Sequence, residues 1–391
     1  MNVLYIGNFH DGTGYARANS ECAVALDAAG ANVICRPIAF NGGRKPCPVR
    51  ILQLEDKPVP ERIDAVIQHT LPSAMVYDAR CGVNVSQFYY ESSHFQSSGW
   101  SLRLNQMDLI ITTPGVSEDS CRNSMVKTPT VGIPLPSDPS RYCVSYPAPS
   151  WLSPYIRDEK FIFYTVSENV RRKNLGGLIK AFLVAFQATD HVVLVVKTGG
   201  DGKKVYSMIQ ELAQGLKLCR HPEIVVVTDR LSDDELMGLH GNADCFVQAS
   251  CGEAWSYPAF DAMAMGKTPI VPDTKTYRSY ISNETGYLIP TYAEPCSGGT
   301  DEQVDLYRSD ESWQVPFTLE LADAMQRAYR EENQRNTKSS LGLDVAYRFT
   351  PERVGKTLLE AITNAAQEKL ARLHGRSSRA IRDPMARDKG C

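Results

Sequence analysis

Two carboxylates and a run of three cations are the residues whose types and spacing point to chemistry. Glu253 and Asp261 stand eight positions apart in CGEAWSYPAFDAMAMGKTPIVPD, the stretch from Cys251 to Asp273. Asp244 to Gln248 reads as a short buried strand before it, and Ser250 to Trp255 as a turn centred on Gly252. Pro258 fits a first helical turn, Ala259 to Met265 favour helix, Gly266 ends it, and Thr268 to Val271 reads as the next strand. At such a helix start the backbone N–H groups around Ala254 to Tyr257 are unpaired and, with the helix dipole, suit a bound anion such as phosphate. The two carboxylates would flank that anion, and ionised carboxylates accept hydrogen bonds that hydroxyls donate. A sugar nucleotide has this layout, with sugar at one end and ribose at the other.

Arg171, Arg172 and Lys173 precede a helix whose apolar face is Leu175, Leu178, Ile179, Phe182 and Phe186. Cations are poorly placed at a helix start, where the macrodipole favours anions, unless a bound diphosphate occupies the space. Asp233, Asp234 and Glu235 lie on the first turn of another predicted helix and read as cap residues. With no acid-x-acid motif closing a strand and no His/Cys ligand spacing, no metal site is expected. Gly7, Gly12 and Gly14 follow the first strand, but their spacing is not the dinucleotide fingerprint, which argues against a nicotinamide cofactor.

The Cys251 to Asp273 stretch resembles the acid-x7-acid signature of retaining glycosyltransferases of the GT-B fold, most closely glycosyltransferase family 4, where it commonly reads E-G-F-G-L-P-x-x-E-A-M-A-x-G. Glu253, Pro258, Ala262-Met263-Ala264 and Gly266 match in register. Asp261 stands where the family has Glu, which shortens its reach, and Ala254-Trp255-Ser256-Tyr257 replaces the glycine-rich tetrad with a bulkier loop. The resemblance implies that Glu253 holds sugar hydroxyls and Asp261 the ribose, with Gly252, Ala254, Trp255, Ser256 and Tyr257 around the donor. It also implies that an Arg and a Lys neutralise the diphosphate. Lys173-Asn174 matches the Lys part, but Ser167 stands near the usual Arg, so Arg171 or Arg172 must substitute or the role is partly lost. Gly12, Thr13 and Gly14 are expected over the interdomain cleft, and His94 near the donor sugar or the reacting centre. The nucleotide-diphosphate sugar would be a co-substrate, with no further cofactor and no metal.

The elements that must position these groups alternate between strand and helix. Asn2 to Ile6, Val33 to Arg36, Ala65 to His69, Asn84 to Tyr89 and Leu109 to Thr113 read as strands, which predicts a doubly wound parallel sheet. A linker rich in Pro, Ser and Tyr follows from Ser137 to Pro154, and Phe161 to Val166 opens a second such unit. The expected fold class is therefore α/β, GT-B, two Rossmann-like domains facing a cleft. Residues 1–145 would be the acceptor side, 155–350 the nucleotide-sugar side, 351–374 a helix crossing back, and 375–391 a basic disordered tail. Tyr292 to Pro316 reads as a long polar loop.

The 391 residues suffice for two cores, and 43% hydrophobic with 22% charged content is ordinary for a soluble globular chain. A net charge of −3 gives no global sign of a nucleic-acid or membrane partner, and no run reaches the length of a membrane span. The 11 cysteines lack paired spacing, which predicts reduced thiols and a cytoplasmic setting without a signal peptide. The expected function is retaining transfer of a sugar to a hydroxyl acceptor: a glycan, a small molecule or a hydroxylated DNA base. Ala371 to Cys391 carries six cations and two acids and is the only stretch suggesting a polyanion, but it lacks interleaved aromatics. A sugar-nucleotide epimerase, with Glu91 and His94 as its acid/base candidates, and a non-catalytic binding protein are the alternatives.

Overall fold

The computed structural model describes residues 1–39, 44–297 and 306–380, with the backbone alone at 346 and 375–380. The first six strands are β1 (Asn2–Gly7), β2 (Asn32–Pro37), β3 (Ala65–His69), β4 (Val83–Gln87), β5 (Leu109–Thr112) and β6 (Thr130–Gly132). They pair parallel in the order β2-β1-β3-β4-β5-β6. The next six are β7 (Phe161–Val166), β8 (Val192–Lys197), β9 (Glu223–Val227), β10 (Cys245–Val247), β11 (Thr268–Pro272) and β12 (Tyr287–Ile289). These form a second parallel sheet, ordered β12-β11-β10-β7-β8-β9. Such strands read as continuous apolar runs because helices cover both faces, and Val192 to Val196 of β8 are all buried.

Chain direction across each sheet reverses once. After β1 the chain goes outward to β2 and then returns to place β3 on the other side of β1; after β7 it builds β8 and β9 outward before β10 pairs with the other edge of β7. The loops leaving β7 and β10 therefore diverge and open a crevice at the strands' carboxyl ends, where open α/β sheets bind ligands. These two loops carry Arg171 to Lys173 and Gly252 to Tyr257.

Three features join the two halves. Helix Pro351–Ala380 packs along helix Gly14–Ala28 of the first half, so close that a Cβ on Gly355 would drive into the Ala25 carbonyl. Farther along, Lys369 Nζ reaches Asp108 Oδ2 at 2.8 Å and the Tyr77 hydroxyl at 2.9 Å. The backbone stays helical to Ala380; residues 381–391, and with them most of the basic tail, lie outside the described residues.

The second feature corrects the polar-loop reading of Tyr292 to Pro316. β13 (Thr291–Pro295) and β14 (Ser312–Pro316) form an antiparallel hairpin that crosses to the first half. Ser93 N donates to Ser312 O at 3.1 Å, and Ser312 N to Ser93 Oγ at 2.9 Å. Its apolar residues are too scattered to show a period, yet Cys296, Leu306, Tyr307 and Trp313 join Phe88, Tyr90, Phe95 and Trp100 in one buried cluster. Tyr307 stacks on Tyr90 at 5.2 Å, and buried Glu311 accepts from the Tyr90 hydroxyl at 2.6 Å.

The third is the 137–154 linker, which is not idle: Tyr142 turns its hydroxyl into the second half, onto Asp261 at 2.7 Å.

Replacing Gly355 by Ala should separate the two packed helices, because its neighbour is backbone and cannot swing aside. Overpacking of this kind costs about 1–3 kcal/mol. Chemical denaturation of the variant checks this, and an unchanged midpoint would disprove the close approach.

Candidate active site

Asn174 sits at a left-handed φ of 50° and caps helix Leu175–Ala185, its side chain accepting from Gly177 N at 3.2 Å and donating to Ala249 O at 3.1 Å. That turn fixes the cations just before it against the β10 loop. Arg172 O accepts from Cys251 N at 2.8 Å, and the Arg172 guanidinium donates to Gly252 O at 2.6 Å. Gly252 has to be glycine here, because a Cβ would collide with the Glu91 carbonyl from the first half.

Glu253 is buried at the centre of these contacts. Its Oε1 accepts from Lys173 Nζ at 2.5 Å, Gln248 Nε2 at 2.7 Å and Ser250 Oγ at 2.7 Å; Arg172 lies 3.8 Å from Oε2. Burial pushes the carboxyl's pKa up, but Lys173 and Arg172 outweigh it and hold the group below its ordinary range, so it is ionised at neutral pH. Arg172 also faces Glu91 at 3.5 Å, whose other oxygen accepts from the Tyr307 hydroxyl. Burial alone would lower the Arg172 pKa; Glu91, Tyr307 and Glu253 reverse that and raise it. Arg171 is exposed at the loop's outer side. Of the two arginines, Arg172 is thus the one brought to the acid.

The bulky tetrad turns mostly inward. Trp255 packs against Tyr280 at 4.8 Å and Phe260 at 5.5 Å, and Ala254 is buried beside it. Ser256 takes a left-handed φ of 67°, and its hydroxyl donates to Gln248 Oε1 at 2.6 Å. Helix Tyr257–Ala264, which follows the β10 loop, starts without a side-chain cap on its first N–H groups. The side chains of Trp255 and Ser256 thus build the wall behind the loop.

Asp261 is placed differently from the ribose contact the resemblance implies. Its carboxylate is 1% exposed and takes a two-pronged bond from Arg17, at 2.6 and 2.9 Å, plus the Tyr142 hydroxyl. Arg17 also lies 3.9 Å over the Tyr257 ring and 2.8 Å from Glu21, which accepts from the Tyr257 hydroxyl at 2.6 Å. A ribose hydroxyl could reach Asp261 only by displacing one of these partners. Arg17 escaped the sequence reading; the signal was a cation one turn beyond Gly14, paired i,i+4 with Glu21.

The glycine loop lies at the same interface. Gly12 has a φ of 68°, and a Cβ there would come within 2.8 Å of Arg230 Nη2, in the loop after β9. Thr13 caps helix Gly14–Ala28 by accepting from Ala16 N, and a Cβ on Gly14 would lie 3.8 Å from the Tyr257 ring. His94 is tied elsewhere: its Nδ1 meets Ser93 Oγ at 2.9 Å and its Nε2 is 3.6 Å from Asp310 on the hairpin loop. Asp233 to Glu235 are cap residues, with Ser232 and Glu235 in a reciprocal capping box. Among the described residues no group of three potential metal ligands occurs, and no helix is long and apolar enough to cross a membrane.

Residues 153–299 match the family model described as glycosyl transferases group 1, and they contain Arg172, Lys173, Glu253 and Asp261. Direct comparison with proteins of curated function finds no match. Among solved structures, Anabaena HepE in complex with UDP and glucose aligns at a TM-score of 0.64 and 15% identity, covering 93% of this chain and 100% of that one. Sucrose-phosphate synthase from Thermosynechococcus elongatus aligns at 0.63 and 15%, covering 93% and 98%. An E. coli structure described as trehalose-6-phosphate bound with UDP-2-fluoro glucose gives 0.63 and 11%, covering 93% and 99%. The chain has the GT-B fold, and residues 153–299 of its second half are similar to group 1 glycosyl transferases.

The Arg17–Asp261 pair ties the halves together in a buried setting. Burial raises the Asp261 pKa, Arg17 lowers it by more, and the net result is about 2. The folded value lies below the unfolded one, so the pair's stabilisation is complete above about pH 4 and is lost as the pH falls toward 2. Arg17→Ala at pH 7 should cost about 3–5 kcal/mol, because it strands a buried carboxylate. Thermal melts of both proteins from pH 7 to 2 check this: the variant's deficit should shrink as the pH drops, and a constant deficit would contradict the ionic account.

Proposed function

We propose that this chain is a retaining glycosyltransferase that moves a sugar from a nucleoside-diphosphate donor to a hydroxyl acceptor. The observation that carries the reading is the meeting of Lys173, Arg172 and Glu253 beside the uncapped start of helix Tyr257–Ala264, at the point where the second sheet reverses. The cations and the helix N–H groups are placed for a diphosphate, and Glu253 for hydroxyls on the attached sugar. UDP is the nucleotide favoured for the donor, since the HepE and E. coli structures are described with UDP or a UDP-sugar.

When the donor binds, its phosphates draw Lys173, whose three N–H donors can serve both groups, and a Glu253 lone pair turns to the sugar. The bond from the anomeric carbon to the diphosphate oxygen then breaks as Lys173, Arg172 and the helix start stabilise the charge that develops on that oxygen. The acceptor oxygen forms its bond on the same face, and its proton passes to the departing phosphate oxygen. Retention is favoured because the acids near the site are already matched: Glu253 is paired with Lys173 and Arg172, and Glu91 with Arg172 and Tyr307. Neither is placed as a free base for attack from the opposite face. The same pairing weighs against an epimerase, as does His94, which faces Ser93 and Asp310.

The decisive experiment is incubation with UDP-sugars and an acceptor panel, following the anomeric configuration of donor and product by NMR. An α donor should give an α product. Glu253→Ala should abolish transfer in a folded protein, because it removes the sugar's anchor, with each lost charge-assisted bond worth about 1.5–3 kcal/mol; normal turnover would sink the assignment. Lys173→Ala should slow transfer and also lower the melting temperature, since it leaves Glu253 buried with weaker compensation. Transfer should survive EDTA if cations alone neutralise the diphosphate, and magnesium-dependent rescue would overturn that part.

A further inference from the structure

The face of helix Tyr257–Ala264 that carries Asp261 is already covered. Tyr257 and Asp261, one turn apart on that helix, meet Arg17 and Glu21, one turn apart on helix Gly14–Ala28 of the first half. The Arg17 guanidinium sends both prongs of its fork to the two Asp261 oxygens, at 2.6 and 2.9 Å, and lies 3.9 Å over the Tyr257 ring. Its Nε donates to Glu21 at 2.8 Å, and Glu21 also accepts from the Tyr257 hydroxyl at 2.6 Å. From the linker, the Tyr142 hydroxyl donates to Asp261 Oδ1 at 2.7 Å. Asp261 is left 1% exposed.

These contacts bear on the donor. With Glu253 on the sugar and the helix start on the diphosphate, Asp261 is the group left for the ribose, whose neighbouring hydroxyls would donate to it. Arg17 holds that place instead. Exchange is unfavourable, because a neutral hydroxyl brings a hydrogen bond but no charge, and a buried carboxylate stripped of its cation is strongly destabilised. Undoing the fork breaks a buried ion pair, a cost of roughly 100-fold or more in an equilibrium constant. The hydroxyl bond gained in return is worth roughly 10- to 100-fold. Departure of Arg17 would also leave Glu21 without its cation and uncover the Tyr257 ring.

We propose that Arg17 sets the donor specificity of this chain: by occupying Asp261 it leaves the ribose hydroxyls unread, so that ribo- and 2′-deoxyribonucleoside diphosphate sugars are accepted alike. The proposal rests on the transferase reading for the donor, and it departs from the ribose role that the resemblance implies for Asp261. The donor is then held by its diphosphate, through Lys173, Arg172 and the helix start, and by its sugar, through Glu253. Arg17 acts through Asp261 and need not touch the donor.

The test measures binding of UDP, 2′-deoxy-UDP and 2′,3′-dideoxy-UDP to the full chain by calorimetry, with ADP, GDP and their 2′-deoxy forms alongside. The uridine nucleotides should bind within about twofold of one another, since no charge-assisted bond is lost with the hydroxyls. Arg17→Gln, which releases both Asp261 oxygens, should introduce a preference of about tenfold for UDP over the dideoxy form. Arg17→Lys keeps the charge that the buried pair needs, but an ammonium lacks the planar fork, so the ratio should shift the same way by less. If Arg17→Gln fails to fold, Arg17→Lys carries this arm, with thermal melts reporting the fold of each. A purely structural role for Arg17 would change all the affinities together and leave their ratio at the parent's value. Weakening of about tenfold or more from UDP to the dideoxy form in the parent would overturn the proposal, as would a parent-like ratio in every folded variant. A parent that binds none of the nucleotides would strike the transferase reading itself, and the proposal with it.

Discussion

A carboxylate taken out of water must be matched, and the burial of Glu253 is the constraint on which the site depends. Its partners come from two places: Lys173 and Arg172 from the turn after β7, and Gln248 and Ser250 from just beyond β10. The reversal of strand order between β7 and β10 makes those places adjacent, since it leaves two neighbouring loops with no strand between them. Gln248 then holds Ser256 in its left-handed conformation, which sets the direction of the following helix and of its open N–H groups. One charge thus links sheet topology, loop shape and the proposed leaving-group site.

The cleft is closed by the same physics applied twice more. Arg17 and Asp261 meet across it as a buried ion pair supported by Tyr142, while Glu91 and Arg172 meet across it with Tyr307 as the third member. Breaking either pair leaves a poorly solvated charge, so the two halves are held in register by penalties as much as by attraction. The hairpin adds an apolar clasp through Tyr307 and Trp313. Because Arg172 belongs both to the proposed phosphate site and to the clasp, donor binding and interdomain contact share a residue, and a diphosphate would compete with Glu91 and Glu253 for its charge.

How much of this was legible in the chain differs from residue to residue. The apolar runs of β7 and β8, the proline and glycine bounding helix Tyr257–Ala264, and the register of Glu253 with Pro258 and Gly266 are local patterns, and each marked its element in place. Lys173 was singled out because cations before a helix need an anion, a rule that requires no tertiary knowledge. Tyr307 and Glu311 gave no signal: they lie in a segment without period, and what buries them is a cluster of aromatics some two hundred positions earlier in the chain.

The sequence by itself determined the two alternating α/β units, the loops that bear the cations and the acid, and the kind of ligand those groups suit, because backbone periodicity and the chemistry of a helix start are short-range properties. Tertiary structure alone decided which partner each charge takes. It gave Asp261 to Arg17, chose Arg172 over Arg171, turned Trp255 into the core, and folded an apparently polar loop into a hairpin against the first half. The reason is that desolvation and pairing depend on what the fold brings within a few ångströms, and residues as far apart as Arg17 and Asp261 carry no mark of their meeting in the chain.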